Sequence, residues 1–322
     1  MTRSLPDPDA LADAVASGDR AALARAITLA ESTRAEHRAV AAAVAERLPP
    51  GAALRVGVTG APGAGKSTLL DALGAMLVGR GHRVAILAVD PSSTRTRGAI
   101  LGDKTRMERL ATDERAFVRP TASGGTLGGV ARQTRAAIRM AEGAGYDIVV
   151  VETVGVGQSE TTVRSMVDVF VLLLLAQGGD ELQGVKRGVM EMADVVVVHK
   201  ADLDTAGASE AVRRTRSALS LVPPPETGLH PRVLAASGAT GAGVADLWET
   251  VEAMGAELRA SGAFEQQRAR QRLAHVRAAV ADALHARFYA DPAVAAALPA
   301  LDAAVAAGQI TPDAAAERLL GL

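Results

Sequence analysis

No cysteine occurs anywhere in the 322-residue sequence. That excludes disulfides, thiolate nucleophiles and zinc or nickel sites built on Cys, and it suits a reducing, cytoplasmic location. Aromatic residues are scarce at 2%, so the core must be built from aliphatic side chains. Charge of one sign is missing too. The 35 Lys and Arg nearly balance the 36 Asp and Glu, net −1, and the two signs are interspersed. Nucleic acid therefore has no electrostatic footprint here and is not expected as a partner. The longest apolar run, VFVLLLLA at 169–176, is far short of the roughly 20 residues that cross a bilayer and reads as a buried strand. No membrane partner is expected. The opening MTRSLPDPDALADA has no apolar segment of the kind that directs export.

What is present is an alternation of strands and helices. Residues 1–50 read as a helical extension, in which Gly18 and Asp19 end one helix and cap the next. Pro49, Pro50 and Gly51 mark the entry to a domain over 51–260. Strands are expected at 54–59, 83–89, 116–118, 147–152, 168–175, 194–199 and 232–236, most with helices between them. Runs such as IVVV at 148–151 and VVVV at 195–198 are apolar on both faces, as strands of a parallel sheet must be. The expected fold is an α/β, doubly wound, mostly parallel sheet of the P-loop type, with ligands at the carboxyl ends of its strands. Residues 261–322 read as a helical arm and tail. Leu273, Val276, Val280, Leu284 and Phe288 form one stripe there, flanked by Arg268, Arg270, Arg272, Arg277 and Arg287. The stripe is open to two readings: a helix packed on its own domain, or a dimerisation arm.

The strongest motif is GAPGAGKS at 60–67, which follows the apolar run LRVGVT and precedes the helix-prone TLLDALGAML. This is G-x-x-x-x-G-K-[ST] in the strand–loop–helix setting the pattern requires. Gly60, Ala61, Pro62, Gly63, Ala64 and Gly65 form a loop whose backbone N–H groups can turn inward around phosphate oxygens. The helix beginning near Lys66 aims its positive end at the same oxygens. Lys66 supplies a point charge near the β- and γ-phosphates, Ser67 a hydroxyl for magnesium, and Thr68 follows on the helix. The chain is expected to bind a nucleoside triphosphate.

HKAD at 199–202 follows VVVV, where many GTP-binding proteins carry N-K-x-D at the end of a late strand. An aspartate at 202 can accept from guanine N1–H and the 2-amino group, whereas adenine leaves it unpaired. Such pairing discriminates by roughly 10⁴-fold. The Lys200 stem can lie along the base face. His199 stands in place of asparagine: a ring N–H could donate to the base, but it cannot reproduce both amide bonds. Ser237 and Gly238, after the last strand, are grouped with the base-binding residues. GTP or GDP is the expected ligand.

Asp90, Asp103 and Glu152 are candidates to serve magnesium and the attacking water, together with Ser67. Asp90 and Glu152 end apolar strands, where a carboxylate is costly unless it meets a cation or donors. Magnesium takes hard oxygens and needs only one or two carboxylates beside phosphates. ETVGVGQSE at 152–160 has the character of a switch that meets a γ-phosphate through the Gly155 amide. Val156 follows that glycine, where Ras-like proteins place a water-orienting glutamine. Unaided hydrolysis is therefore expected to be slow, on the order of 10⁻⁴ to 10⁻² per second.

On these residues the chain closely resembles the MeaB/ArgK family of P-loop GTPases, which includes the methylmalonic aciduria type A protein. The resemblance rests on GAPGAGKST at 60–68, AVDPSSTRTRGAILGDKTRM at 88–107, RPTASGGTLGGVARQT at 119–134, ETVGVGQSE and GGDELQGVKRGVMEMAD at 178–194. It implies a GTPase that gates adenosylcobalamin loading of a B12-dependent acyl-CoA mutase, most simply methylmalonyl-CoA mutase, and protects that enzyme. It implies a homodimer with helical extensions at both ends. Asp90, Asp103 and Glu152 would arrange magnesium and water; 92–106, 153–160 and 178–190 would be switches. Asp180, Glu181 and Lys186 would couple nucleotide state to the mutase. His199 departs from the family's asparagine, and Arg97 from a common glycine.

Two other classes compete. A kinase for a basic amino-acid transport system would favour ATP and need an acceptor site, which the sequence does not display. A metal-delivering GTPase would hold its cargo through Cys or clustered His, whereas His37, His82, His199, His230, His275 and His285 are scattered.

Overall fold

The computed structural model describes residues 4–90, 107–122, 127–153, 159–176 and 187–321. Three helices open the chain: α1 (Pro8–Ala16), α2 (Arg20–Glu31) and α3 (Ala35–Arg47). Asp7 and Asp19 cap the first two, each accepting two backbone N–H groups at the helix start. The expected Gly18–Asp19 break is therefore present.

Alternation follows: β1 (Leu54–Gly60), α4 (Lys66–Gly79), β2 (Val84–Asp90), α5 (Glu108–Ala111), β3 (Ala116–Ala122), α6 (Leu127–Gly143), β4 (Ile148–Thr153), α7 (Ser159–Arg164), β5 (Val169–Leu175), α8 (Arg187–Met192), β6 (Val195–His199), α9 (Thr205–Leu219), β7 (Arg232–Ala236) and α10 (Val244–Ala260). The strands form one sheet in the order β3-β2-β4-β1-β5-β6-β7. Every neighbouring pair is parallel. The expected strands match these to within a residue or so, except that β3 runs four residues further, to Ala122.

The period of two along each strand divides the core into two apolar layers. Ile148 and Val150 of β4 pack with Leu69, Leu73 and Leu77 of α4 and with Trp248 and Val251 of α10. Val149 and Val151 face the other way, toward Ile138 and Met140 of α6 and, beyond them, Leu23 and Ile27 of α2. The opening helices thus share the core of the sheet. Arg119 on β3 fastens them, pairing its guanidinium with the Glu31 carboxylate at 2.5 Å and donating to the Ala24 carbonyl at 3.2 Å.

β1 sits where the strand order reverses: β2, β3 and β4 lie to one side and β5 to β7 to the other. In open α/β sheets that point, at the strand carboxyl ends, is where ligands bind. The opposite, amino end of the sheet is locked by charge. Asp168, just before β5, accepts from Arg268 Nε at 2.9 Å and Nη2 at 2.6 Å and from the Arg55 backbone N–H at 2.8 Å. Arg55 in turn grips Glu142 with two bonds of 2.7 and 2.8 Å. Arg268 belongs to α11 (Ala263–Tyr289) and is buried. The sequence pattern grouped it with the arginines that flank the apolar stripe; the structure sets it apart from them by burying it against two carboxylates.

Two compact units are distinguishable, 1–269 and 270–322. In the second, α11 continues to Tyr289, followed by α12 (Pro292–Ala306) and α13 (Pro312–Leu320). Leu273, Val276, Val280 and Leu284 are 53–61% exposed and Phe288 is partly buried, so among the described residues most of the stripe is uncovered. No single helix in the described residues is long and apolar enough to cross a membrane.

Candidate nucleotide site

β1 delivers the chain to Gly60, and the loop closes by the Ala64 N–H bonding the Ala61 carbonyl at 3.1 Å. Gly65, with φ 88°, is the N-cap of α4, in a left-handed conformation disfavoured for side chains. Among the described residues no side chain caps this helix, the arrangement in which a helix N-terminus is suited to receive an anion. Lys66 is buried, with Nζ donating to the Gly60 carbonyl at 2.6 Å and the Ala61 carbonyl at 3.2 Å. Its charge is thereby held at the lip of the loop.

Ser67, one residue on, donates Oγ–H to Glu152 Oε1 at 3.3 Å. Glu152 lies near the end of β4, only 4% exposed, and in the ladder it stands opposite Val58 of β1 and Ala88 of β2. A hydroxyl and a buried carboxylate thus converge below the loop. Both are hard oxygen donors, which is the chemistry magnesium takes, so these residues fit that ion. Behind them the Thr153 hydroxyl donates to that of Thr59 at 2.7 Å, fully buried. This pair escaped the motif reading, although both threonines adjoin it in VGVTGAPG and VVVETVG. Asp90 closes β2, but its side chain lies outside the described residues. So do Asp103, Gly155, Asp180, Glu181 and Lys186, all three expected switch segments save their edges, and Arg97.

On the base side the finding is His199. It ends β6, is 2% exposed, and has both ring nitrogens occupied. Nδ1 lies 2.7 Å from the Ala64 carbonyl, and the Gly238 N–H reaches Nε2 at 3.0 Å. A carbonyl only accepts and an amide N–H only donates, so the proton is on Nδ1 and Nε2 offers its lone pair. The ring donor that the sequence offered to the base is therefore engaged by the phosphate loop. Burial pushes the His199 pKa below the ordinary imidazole value, against the opposing Ala64 bond; Lys200 lowers it further and Asp202 raises it.

Gly238 is required by contact: a Cβ there would lie 2.7 Å from the Leu69 backbone nitrogen on α4. Ser237 is buried and its Oγ accepts the Thr240 N–H at 3.2 Å, shaping the turn after β7. Lys200, at φ 57°, is the non-glycine residue of positive φ among those described. With His199, Leu175, Ala176, Leu203 and Asp204 it lines a pocket of about 140 Å³. Leu175 is paired with His199 in the sheet, which is how the end of β5 contributes an apolar wall that the motif search missed. Asp204 caps α9 through the Gly207 N–H at 2.8 Å, and Asp202 stands exposed on the same loop.

Comparison with known proteins agrees with this geometry. A family model described as methylmalonyl Co-A mutase-associated GTPase MeaB matches residues 23–293. A GTPase of Caulobacter vibrioides is 52% identical over 98% of this chain and 97% of its own. The mitochondrial methylmalonic aciduria type A homolog of Mus musculus is 42% identical, covering 97% of this chain and 78% of that protein. A solved structure described as an LAO/AO transport system kinase superposes with a TM-score of 0.75 at 34% identity, covering 99% of both chains.

Proposed function

Because this chain belongs to the MeaB family of methylmalonyl-CoA mutase-associated GTPases, we propose that its GTP cycle regulates a B12-dependent acyl-CoA mutase, gating adenosylcobalamin loading and protecting the enzyme. The chain is a P-loop GTPase. The mutase client is supported by the family's description and by the name of the mouse relative. The observation that carries the nucleotide reading is the convergence of three strand ends on one loop: Glu152 from β4, His199 from β6 and Gly238 after β7 all meet Gly60–Ser67 or the first turn of α4.

The loop amides and α4's positive end would hold the phosphates, with the Lys66 ammonium beside them. Ser67 and Glu152, joined by Asp90 and Asp103, would hold magnesium, which when bound neutralises charge on the β- and γ-oxygens. Asp202 would read the guanine edge, with the Lys200 stem along its face and Ser237 and Gly238 shaping the pocket. Gly155 would meet the γ-phosphate through its amide, while Asp180, Glu181 and Lys186 would couple nucleotide state to the client. With Val156 in place of a water-orienting glutamine, the unaided rate stays on the order of 10⁻⁴ to 10⁻² per second, so the cycle acts as a timer. The exposed stripe of α11 is the surface through which two copies would pair, and the cytoplasm, which a chain without cysteine suits, is the proposed location.

The description of the solved relative as a transport system kinase favours a second reading, phosphoryl transfer from ATP within a transport system. Calorimetry with GDP, a GTP analogue and an ATP analogue, followed by turnover with and without a B12-dependent mutase, separates the two. The expected result is guanine-selective binding abolished by Lys66→Ala, and slow hydrolysis accelerated by the mutase. Equal competition by ATP, or many unaided turnovers per second, overturns the proposal.

A further inference from the structure

His199 makes no use of a charge, yet it is the side chain that joins the two halves of the nucleotide site. Its ring lies against the phosphate loop so closely that a Cβ at Gly65 would sit 2.7 Å from Cε1. One nitrogen holds the Ala64 carbonyl and the other the Gly238 amide. We propose that His199 is a positioning residue that couples the phosphate loop to the base-side turn, and that it works only as the neutral Nδ1–H tautomer. The inference rests on the guanine-nucleotide reading above and deepens it.

The argument is one of donors and acceptors. A neutral imidazole offers one of each, which is what a carbonyl on one side and an N–H on the other require. An imidazolium offers two donors, so at Nε2 two N–H groups would face each other across 3.0 Å. Gly238 would then be repelled from the ring, and the turn that packs on the first turn of α4 would move with it. Among the described residues, the charged groups acting on His199 are Lys200 and Asp202, both from the loop after β6. The phosphate loop and the turn after β7 bring backbone groups alone to its nitrogens, and Lys66 on α4 directs its ammonium to the Gly60 and Ala61 carbonyls. The neutral form is favoured by burial, so the coupling is intact at neutral pH. It is lost as pH falls below the ordinary imidazole range and through the depressed value in the folded protein.

The test is the GDP affinity of the full chain from pH 8 to pH 5, measured by calorimetry for wild type, His199→Asn and His199→Ala. Nucleotide phosphates titrate in the same window, but that contribution is common to all three. Asparagine offers an amide donor and an amide acceptor and does not titrate. The expected result is wild-type affinity that falls in acid by up to about tenfold per pH unit beyond the fall in His199→Asn, the limit for one coupled proton. His199→Asn should bind within a few-fold of wild type at pH 7.5, and His199→Ala about tenfold or more weaker. Nitrogen-15 NMR of the wild-type ring should show the proton on Nδ1. Parallel pH profiles for wild type and His199→Asn, or a proton on Nε2, overturn the coupling while leaving the nucleotide reading intact. Failure of every protein to bind GDP at any pH overturns both.

Discussion

Gly65 shows how much a single position must satisfy. Its φ of 88° is disfavoured for other residues, and its missing Cβ leaves room for the His199 ring. Gly65→Ala therefore combines backbone strain of about 1–3 kcal/mol with a clash against a side chain bonded at both nitrogens. Chemical denaturation should show a loss of that order or more, and GDP binding should fall at least tenfold. A variant that binds GDP normally would mean the ring can retreat. Glycine, lysine and serine at 60–67 were legible because the motif is contiguous, and each residue type has a chemical reason for its place. His199 was legible as an anomaly, not as a solution. Its two partners lie 135 and 39 residues away in sequence, and which nitrogen meets which backbone group is set by the sheet.

At the scale of elements, strand boundaries could be read because burial on both faces leaves continuous β-branched runs that Gly and Pro interrupt. The charged lock at the amino end of the sheet could not. Arg268, Asp168, Glu142 and Arg55 come from four separate segments, and nothing in helical periodicity distinguishes Arg268 from the arginines beside it. The lock pins the root of α11 under β1 and β5: Arg268 also donates to the Ala53 carbonyl at 2.6 Å, and Gln267 to that of Val167 at 2.9 Å. Arg268→Ala would leave the buried Asp168 carboxylate without its cation, while Glu142 keeps Arg55; breaking a buried pair in this way costs about 3–5 kcal/mol. Guanidinium denaturation should register that loss, while GDP affinity, set at the other end of the strands, stays within about twofold. Arg213→Ala is the control. Its partner Glu210 is 48% and Arg213 67% exposed, so the change should be within about 0.5 kcal/mol. Equal effects of the two substitutions would remove the structural role assigned to the lock.

For the whole molecule, the question is what covers the stripe on α11. Leu273, Val276, Val280 and Leu284 recur at three- and four-residue steps, which puts them on one face. All four are more than half exposed. A helix 27 residues long that leaves four large aliphatic side chains in water is under pressure to bury them, at about 25 cal/mol for each Å² removed. A second copy of the same helix, offering the same stripe, supplies a self-complementary surface of the kind two-fold dimers use. Leu273→Glu with Val280→Glu replaces that surface with carboxylates, which resist burial without partners. Light scattering should then report the mass of one chain in place of two. Unaided GTP turnover should remain within about twofold, because the phosphate loop and its supports all lie in the first unit. A wild-type chain that is already monomeric at tens of micromolar, or a double variant that remains a dimer, would assign the stripe to another partner, with the mutase then the first to be tried.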